Sequence, residues 1–165
     1  MDAQELQAWL RLTLTPGVGN ATARKLLVAF GSAQAIFEQS HLMLRQVCSE
    51  KLVNALQTEP SALAALLKTT LDWQHAGDDR RIATLGDAAY PTTLLNIEDP
   101  PLMLYMLGTM CTHPDMNTAI THSLAIVGSR NPTSDGESNA RHFAKAFGEA
   151  GLCVVSGLAL GIDGA

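Results

Sequence analysis

Two short apolar runs, each followed by small and polar residues, constrain the fold of this chain more than any other feature. The first run covers residues 124–127 and is followed by Gly128, and the second run is followed by Ser156. Between them, Phe143 and Phe147 belong to a pattern with helical spacing. This order is typical of a β-loop-α-β unit whose second loop begins a second helix. The sequence therefore predicts an α/β fold built on a doubly wound parallel sheet.

The residues that follow the two runs are suited to binding phosphate. Ligands of parallel α/β sheets bind outside the carboxyl ends of the strands, and anions sit at helix N-termini. Small residues let backbone amides approach the anion, and an arginine adds a permanent charge. The predicted phosphate-binding residues are Gly128, Ser129, Arg130, Ser156, Gly157 and Gly161.

Asp163 closes the second loop, and two roles fit it equally well. Its carboxylate can accept a hydrogen bond from Arg130 or from a sugar hydroxyl. Alternatively, it caps a helix that begins there. Taken alone, the glycine, serine and arginine after the first run also fit a strand end with a solvated arginine. The matching loop, one helix and one strand later, favours the phosphate interpretation.

The composition indicates a packed protein without a membrane segment. The chain has 165 residues, of which 47% are hydrophobic and 16% are charged, enough for one ordinary domain or two small ones. No apolar run approaches the roughly 18 residues of a membrane span, and no secretory signal is visible. The widely spaced Cys48, Cys111 and Cys153 are typical of reduced thiols rather than metal ligands. We expect a cytoplasmic protein with no metal, cofactor or membrane partner.

The chain divides into two predicted domains. Residues 1–76 form short helices, and residues 77–165 begin with strands at 81–85 and 102–107. A polar surface loop is expected over residues 109–122. The sequence stops where the second helix of the α/β unit should start, so we expect that domain to be truncated at its carboxyl end. The predicted N-caps of the short helices are Asn20, Ser32, Ser40 and Ser49.

A turn near the N-terminus resembles a helix-hairpin-helix element. Gly17 and Gly19 permit a tight turn, and the free amides of the next helix then point at a phosphate. Arg24 and Lys25 lie one turn into that helix and add charge. Two interpretations stay open, because such a turn can contact DNA or can serve only packing or protein binding.

Two classes of function find little support in the sequence. The dinucleotide fingerprint, the Walker lysine motif and the common nucleophile motifs are all missing, so no catalytic residue is predicted. The net charge of −5 argues against attraction of nucleic acid by bulk charge. Any DNA contact therefore depends on local cations and on backbone amides.

Several motifs, taken together, resemble the DNA-processing protein A family, DprA/Smf, over residues 82–165. The helical residues 1–76 are similar, with less specific motifs, to the helix-hairpin-helix or SAM-like accessory domain of that family. The motifs are, in chain order, Tyr90-Pro91, Asp99-Pro100-Pro101, Leu104-Tyr105, Ile126-Val127-Gly128-Ser129-Arg130, Ser156-Gly157-Leu158-Ala159 and Gly161-Ile162-Asp163.

The resemblance implies a function as well as an extended Rossmann-like domain. Family members are single-stranded DNA-binding mediators that protect incoming DNA and load the RecA recombinase in natural transformation. They are not enzymes, and they dimerise through the Rossmann-like domain. Two alternatives remain from the residues: a nucleotide phosphoribohydrolase with a related Rossmann-like fold, and a protein-interaction module formed by the helical region.

Overall fold

The computed structural model describes residues 1–108 and 116–165, and the chain falls into two compact units, Met1–His113 and Pro114–Ala165. The sequence places its boundary between residues 76 and 77, ahead of the first two strands. The first compact unit includes these strands. A functional division at residue 76 therefore stays a prediction.

The first unit begins with a bundle of short helices. Their apolar faces meet in a core that includes Leu12, Leu26 and Ile36, all of them fully buried. Helices this short are marginal alone in water, so the shared core stabilises them. The helices are α1 (Ala3–Leu14), α2 (Asn20–Phe30), α3 (Ala33–Phe37), α4 (His41–Arg45), α5 (Glu50–Gln57) and α6 (Leu63–His75).

Three of the four predicted N-caps, Ser32, Ser40 and Ser49, occupy the cap positions of their helices, but the Ser49 side chain accepts no capping hydrogen bond. The side chains of Ser32 and Ser40 accept hydrogen bonds from the amides of Ala35 and Met43, as predicted. Asn20 was predicted to be the N-cap of α2, and this prediction is wrong. Gly19 occupies the cap position in extended conformation, which frees the Asn20 side chain for a contact described below.

An antiparallel hairpin of two strands packs on these helices. Strand β1 (Arg80–Thr84) pairs with β2 (Met103–Leu107), with Ile82 opposite Tyr105. Ile82 is buried against a second apolar cluster that includes Leu6 and Leu63. Both strands lie where the sequence predicts them. The connection between them contains a 3₁₀-helix over Thr92–Asn96.

The second unit contains the predicted β-α-β arrangement. Strands β3 (Ser123–Ala125) and β4 (Cys153–Val155) are parallel, and helix α8 (Ser134–Glu149) connects them. A 3₁₀-helix over Ile162–Gly164 follows β4. The fold is therefore mixed α/β: a helical N-terminal region is followed by the strand-helix-strand unit from which Rossmann-like sheets are built.

The region between the two strand pairs differs from the sequence prediction. Residues 116–121 were predicted to be part of an irregular loop, but they form helix α7 (Met116–Thr121). Polar residues such as Asn117 and Thr121 hide the helical pattern because they give it no apolar stripe. The remainder of that predicted loop, residues 109–115, lies outside the described residues, as does Cys111.

Cys48 and Cys153 are free thiols. Burial raises the pKa of Cys48, and the nearby Arg45 guanidinium partly offsets this rise. Among the described residues, no helix combines the length and the apolar character that crossing a membrane requires.

We predict that Leu26→Ala lowers the free energy of unfolding of the first unit by about 2–5 kcal/mol, because it leaves a cavity in the core. Urea denaturation followed by tryptophan fluorescence measures this, since Trp9 and Trp73 both belong to the first unit. Val28 lies on the same helix and is 89% exposed, so Val28→Ala is the control, with a change within about 0.5 kcal/mol. Equal effects of the two substitutions would contradict the packing of α2.

Candidate phosphate-binding site

The loops that follow β3 and β4 contact each other directly. The amide of Gly128 donates to Oδ1 of Asp163 at 3.0 Å, and the amide of Ile162 donates to the carbonyl of Ser129 at 3.1 Å. The hydroxyl of Ser156 donates to the backbone carbonyl of Asp163 at 2.8 Å. These bonds join residues distant in sequence into one surface at the carboxyl ends of two parallel strands.

Gly161 makes this close approach possible. Its φ is +91°, a conformation that side-chain-bearing residues rarely adopt, and a Cβ atom there would lie 2.2 Å from the Ser129 carbonyl oxygen. Gly128 is also tightly enclosed, because its Cβ would lie 2.8 Å from the Ile162 side chain. Both glycines therefore shape the site by letting backbones approach each other.

Arg130 supplies a free positive charge beside these loops. Its side chain is exposed, and no described residue forms an ion pair or hydrogen bond with its guanidinium. The amides of Ser129, Arg130 and Gly157 also have no acceptor among the described residues. A guanidinium and several free amides on one exposed surface can together bind a phosphate group.

The structure changes the expected part of Gly128 and of Asp163. The Gly128 amide is already bonded to Asp163, so it is not among the free donors. The Asp163 carboxylate accepts from this amide and not from Arg130, an arrangement that the sequence did not predict. Asp163 thus ties the two loops together through its carboxylate, and its backbone carbonyl closes the second loop by accepting from Ser156.

The N-terminus of α8 contributes little attraction for an anion. Thr133 caps the helix by accepting from the amide of Gly136, and Asp135 and Glu137 occupy its first turn. These carboxylates offset the positive potential at this end of the helix dipole, so little of it remains for an anion. The positive potential of the site therefore depends on Arg130 and on the loop amides.

Sequence reasoning missed the backbone conformation of Leu158. This residue has φ +51° and is 84% exposed, and Leu160 is 82% exposed. A left-handed conformation costs a residue with a side chain roughly 1–2 kcal/mol. Nothing in the local sequence signals it, because leucine is not a residue that favours left-handed turns.

The predicted hairpin lies in the first unit and is held from within. Gly17 has φ +83° and forms the turn before α2. The Arg24 guanidinium donates to Oδ1 of Asp99 at 2.9 Å and to the carbonyl of Pro100 at 3.0 Å. The side-chain Nδ2 of Asn20 donates to Oδ2 of Asp99 at 2.9 Å. Asp99 thus holds two polar side chains at the start of α2.

Tyr90 secures the same proline segment. Its hydroxyl donates to the Pro101 carbonyl at 2.8 Å, and its side chain is buried. Burial raises the pKa of Tyr90, and the Arg24 guanidinium partly offsets the rise. Of the two predicted hairpin cations, Arg24 is therefore engaged, whereas Lys25 is exposed without an ion pair among the described residues.

We predict that Gly161→Ala separates the two loops, because the added methyl group meets the Ser129 carbonyl and the positive φ adds strain. The expected cost exceeds about 1 kcal/mol. Amide hydrogen exchange of Ile162 measures it, since that amide donates to Ser129. The control is Gly148→Ala in α8, where a Cβ meets no atom within 4 Å. Unchanged protection of Ile162 in the Gly161 variant would disprove the close approach.

Comparison with known proteins identifies the family. A family model described as DNA recombination-mediator protein A matches residues 81–165. A second model, described as a DprA-like N-terminal HHH domain, matches residues 3–39. The first match covers all but the first residue of the strand pair β1–β2 and both loops of the candidate site, and the second covers the hairpin.

Three curated relatives agree with these matches. Protein Smf of Synechocystis sp. is 28% identical over 165 residues, which are 99% of this chain and 40% of that protein. The DNA processing protein DprA of Bacillus subtilis is 40% identical over 75 residues, which are 46% of this chain and 24% of that protein. Protein Smf of Borreliella burgdorferi is 34% identical over 83 residues, 50% of this chain and 24% of that protein.

The chain thus spans less than half the length of these relatives. The mediator model alone covers residues 81–165, just over half of the chain. The motifs around Asp99, Arg130 and Ser156 lie inside that match. This protein belongs to the DNA recombination-mediator protein A family, DprA/Smf.

Proposed function

We propose that this protein is a single-stranded DNA-binding mediator that protects incoming DNA and loads the RecA recombinase in natural transformation. The observation that carries this proposal is the surface formed by the loops after β3 and β4. There the unpaired guanidinium of Arg130 lies on the same loop as the free amides of Ser129 and Arg130, and the second loop adds the free amide of Gly157.

The chemistry of these donors fits a nucleic-acid backbone. Amides and a guanidinium bind phosphate oxygens and read no base edges, so binding is largely independent of sequence. Because the chain is acidic overall, attraction is local and rests on few cations. Few phosphate contacts also predict a shallow dependence of affinity on salt concentration.

Binding without turnover is the form of this proposal that the site favours. Asp163 is the one carboxylate in the two loops, residues 128–131 and 156–164. Its Oδ1 atom already accepts from the Gly128 amide, which suits an orienting part rather than that of a general base. A phosphoribohydrolase needs a group that activates water, and these loops offer no second candidate.

The RecA partner, the dimer and the cytoplasmic location rest on family membership. The family is described as a mediator of DNA recombination, and a mediator has to hand its DNA to a recombinase. We therefore propose RecA as the protein partner and a homodimer as the active form. Stimulation of RecA filament assembly on oligo-dT tests the RecA partnership. Sedimentation tests the homodimer.

For the helical residues 1–76 we propose packing or protein binding rather than a DNA contact. Arg24, the half-buried cation of the hairpin, is paired with Asp99. A phosphate that approached Arg24 would have to displace this carboxylate. Lys25 remains available, but one lysine gives weak attraction.

We predict that Arg130→Ala weakens binding of oligo-dT about ten- to a hundredfold, because a charge-assisted phosphate contact is worth roughly 1.5–3 kcal/mol. Fluorescence anisotropy measures the affinity. The matched control is Arg141→Ala, which removes the same charge from the exposed face of α8, where Arg141 pairs with Glu137. Equal losses in both variants would reduce the effect to net charge, and no loss would remove Arg130 from the site.

We predict no hydrolysis of nucleoside monophosphates, because Asp163 is bonded to the loop backbone. Incubation with AMP and measurement of released ribose 5-phosphate is the assay. Turnover that disappears in Asp163→Asn would contradict the binding proposal and favour the hydrolase alternative.

A further inference from the structure

A groove of about 660 Å³ runs along the first unit between its N-terminal helices and the end of β1. We call it the acidic groove. Its residues come from the start of α1, from α2 through the first residues of α3, and from the end of β1 with the turn after it, so three segments build it. They include Glu5, Trp9, Arg24, Val28, Leu85 and Asp87.

The floor of the acidic groove is apolar. Trp9 belongs to the core, is 6% exposed and lines the groove from α1, and the half-buried Leu27 and Leu85 flank it. Val28, which is 89% exposed, adds an apolar side chain at the edge of the groove. An aliphatic side chain of a ligand would therefore find an apolar contact surface here.

The rim of the acidic groove carries three carboxylates. Asp2 accepts from the amide of Glu5, and Glu5 itself has no ion pair among the described residues. Asp87 accepts from the Ala89 amide and lies 3.7 Å from Arg81. The negative charge on this rim is thus only partly compensated.

Arg24 is the one cation that lines the acidic groove within the described part of the chain. Its guanidinium is already paired with Asp99 and bonded to the Pro100 carbonyl. This leaves Asp2 and Glu5, together with Asp87, whose charge Arg81 partly compensates, to set the sign of the field that a ligand meets. The field attracts cations and repels phosphate groups.

We propose that the acidic groove binds a basic, apolar segment of a partner protein. An aliphatic side chain of the segment lies on Trp9 and Val28, and flanking lysine or arginine side chains meet Glu5 and Asp87. Charge complementarity selects this occupant, because a DNA strand would place its phosphates beside three carboxylates. The site is separate from Arg130 and does not depend on the function proposed for the loops.

The probe is a short fluorescein-labelled peptide with leucine and lysine at helical spacing, and its counterpart has glutamate in place of lysine. Anisotropy with the full chain should show binding of the lysine peptide only, weakened by added salt. Val28→Ser should weaken this binding about tenfold, since it removes an apolar side chain that the peptide contacts without adding charge. Leu42→Ser is the matched control, because Leu42 is 77% exposed on α4, outside the groove, and should change nothing.

Charge reversal on the rim gives a second, independent test. Glu5→Lys should weaken binding of the lysine peptide several-fold, whereas Glu59→Lys, at an exposed glutamate outside the groove, should not. Circular dichroism checks that each variant is folded. Arg130→Ala should leave peptide binding intact. A failure of the groove proposal is therefore distinguishable from a failure of the DNA-binding proposal.

Two outcomes overturn the proposal. Equal effects of Val28→Ser and Leu42→Ser, or no effect of either, would mean that the peptide binds elsewhere or without specificity. Competition between oligo-dT and the lysine peptide that Val28→Ser relieves would make nucleic acid the occupant of the groove.

Discussion

The candidate site depends on one close contact between two backbones. Gly161 approaches the Ser129 carbonyl so closely that a Cβ atom would lie 2.2 Å from its oxygen. This approach brings Asp163 within 3.0 Å of the Gly128 amide and aligns the two loops. The free amides and the guanidinium of Arg130 then share one exposed surface. Without the contact, the two loops would extend from neighbouring strands but would not be held against each other.

Pairing of charges separates the two regions that the sequence offers for DNA contact. Arg24 and Arg130 both lie next to glycine-containing turns, and the sequence favours phosphate binding for the turn at Arg130 while it leaves two interpretations open for the turn before Arg24. In the folded chain Asp99 forms an ion pair with Arg24, whereas no described residue forms one with Arg130. A carboxylate that accepts hydrogen bonds from a guanidinium already compensates its charge and occupies donors that a phosphate would otherwise use. The hairpin therefore suits packing, and the loops of the second unit suit an anion.

This distribution also reconciles an acidic protein with membership of a family of DNA recombination mediators. Carboxylates line the groove of the first unit, and the exposed arginine lies in the second. The two units therefore carry surfaces with opposite charge preference. The net charge of −5 therefore describes neither surface.

The amino-acid sequence by itself determined the local elements: the serine caps at Ser32 and Ser40, the strands over 81–85 and 102–107, and the strand-helix-strand unit around residue 128. Capping and apolar periodicity act over a few residues, so the sequence displays them directly. It failed for helix α7, whose polar residues show no stripe, and for Asn20, which the chain uses to hold Asp99. Only the tertiary structure decided which charges stay free, that Asp163 binds Gly128, and that three segments form the acidic groove. These contacts join residues far apart in the chain, and no local pattern specifies such partners.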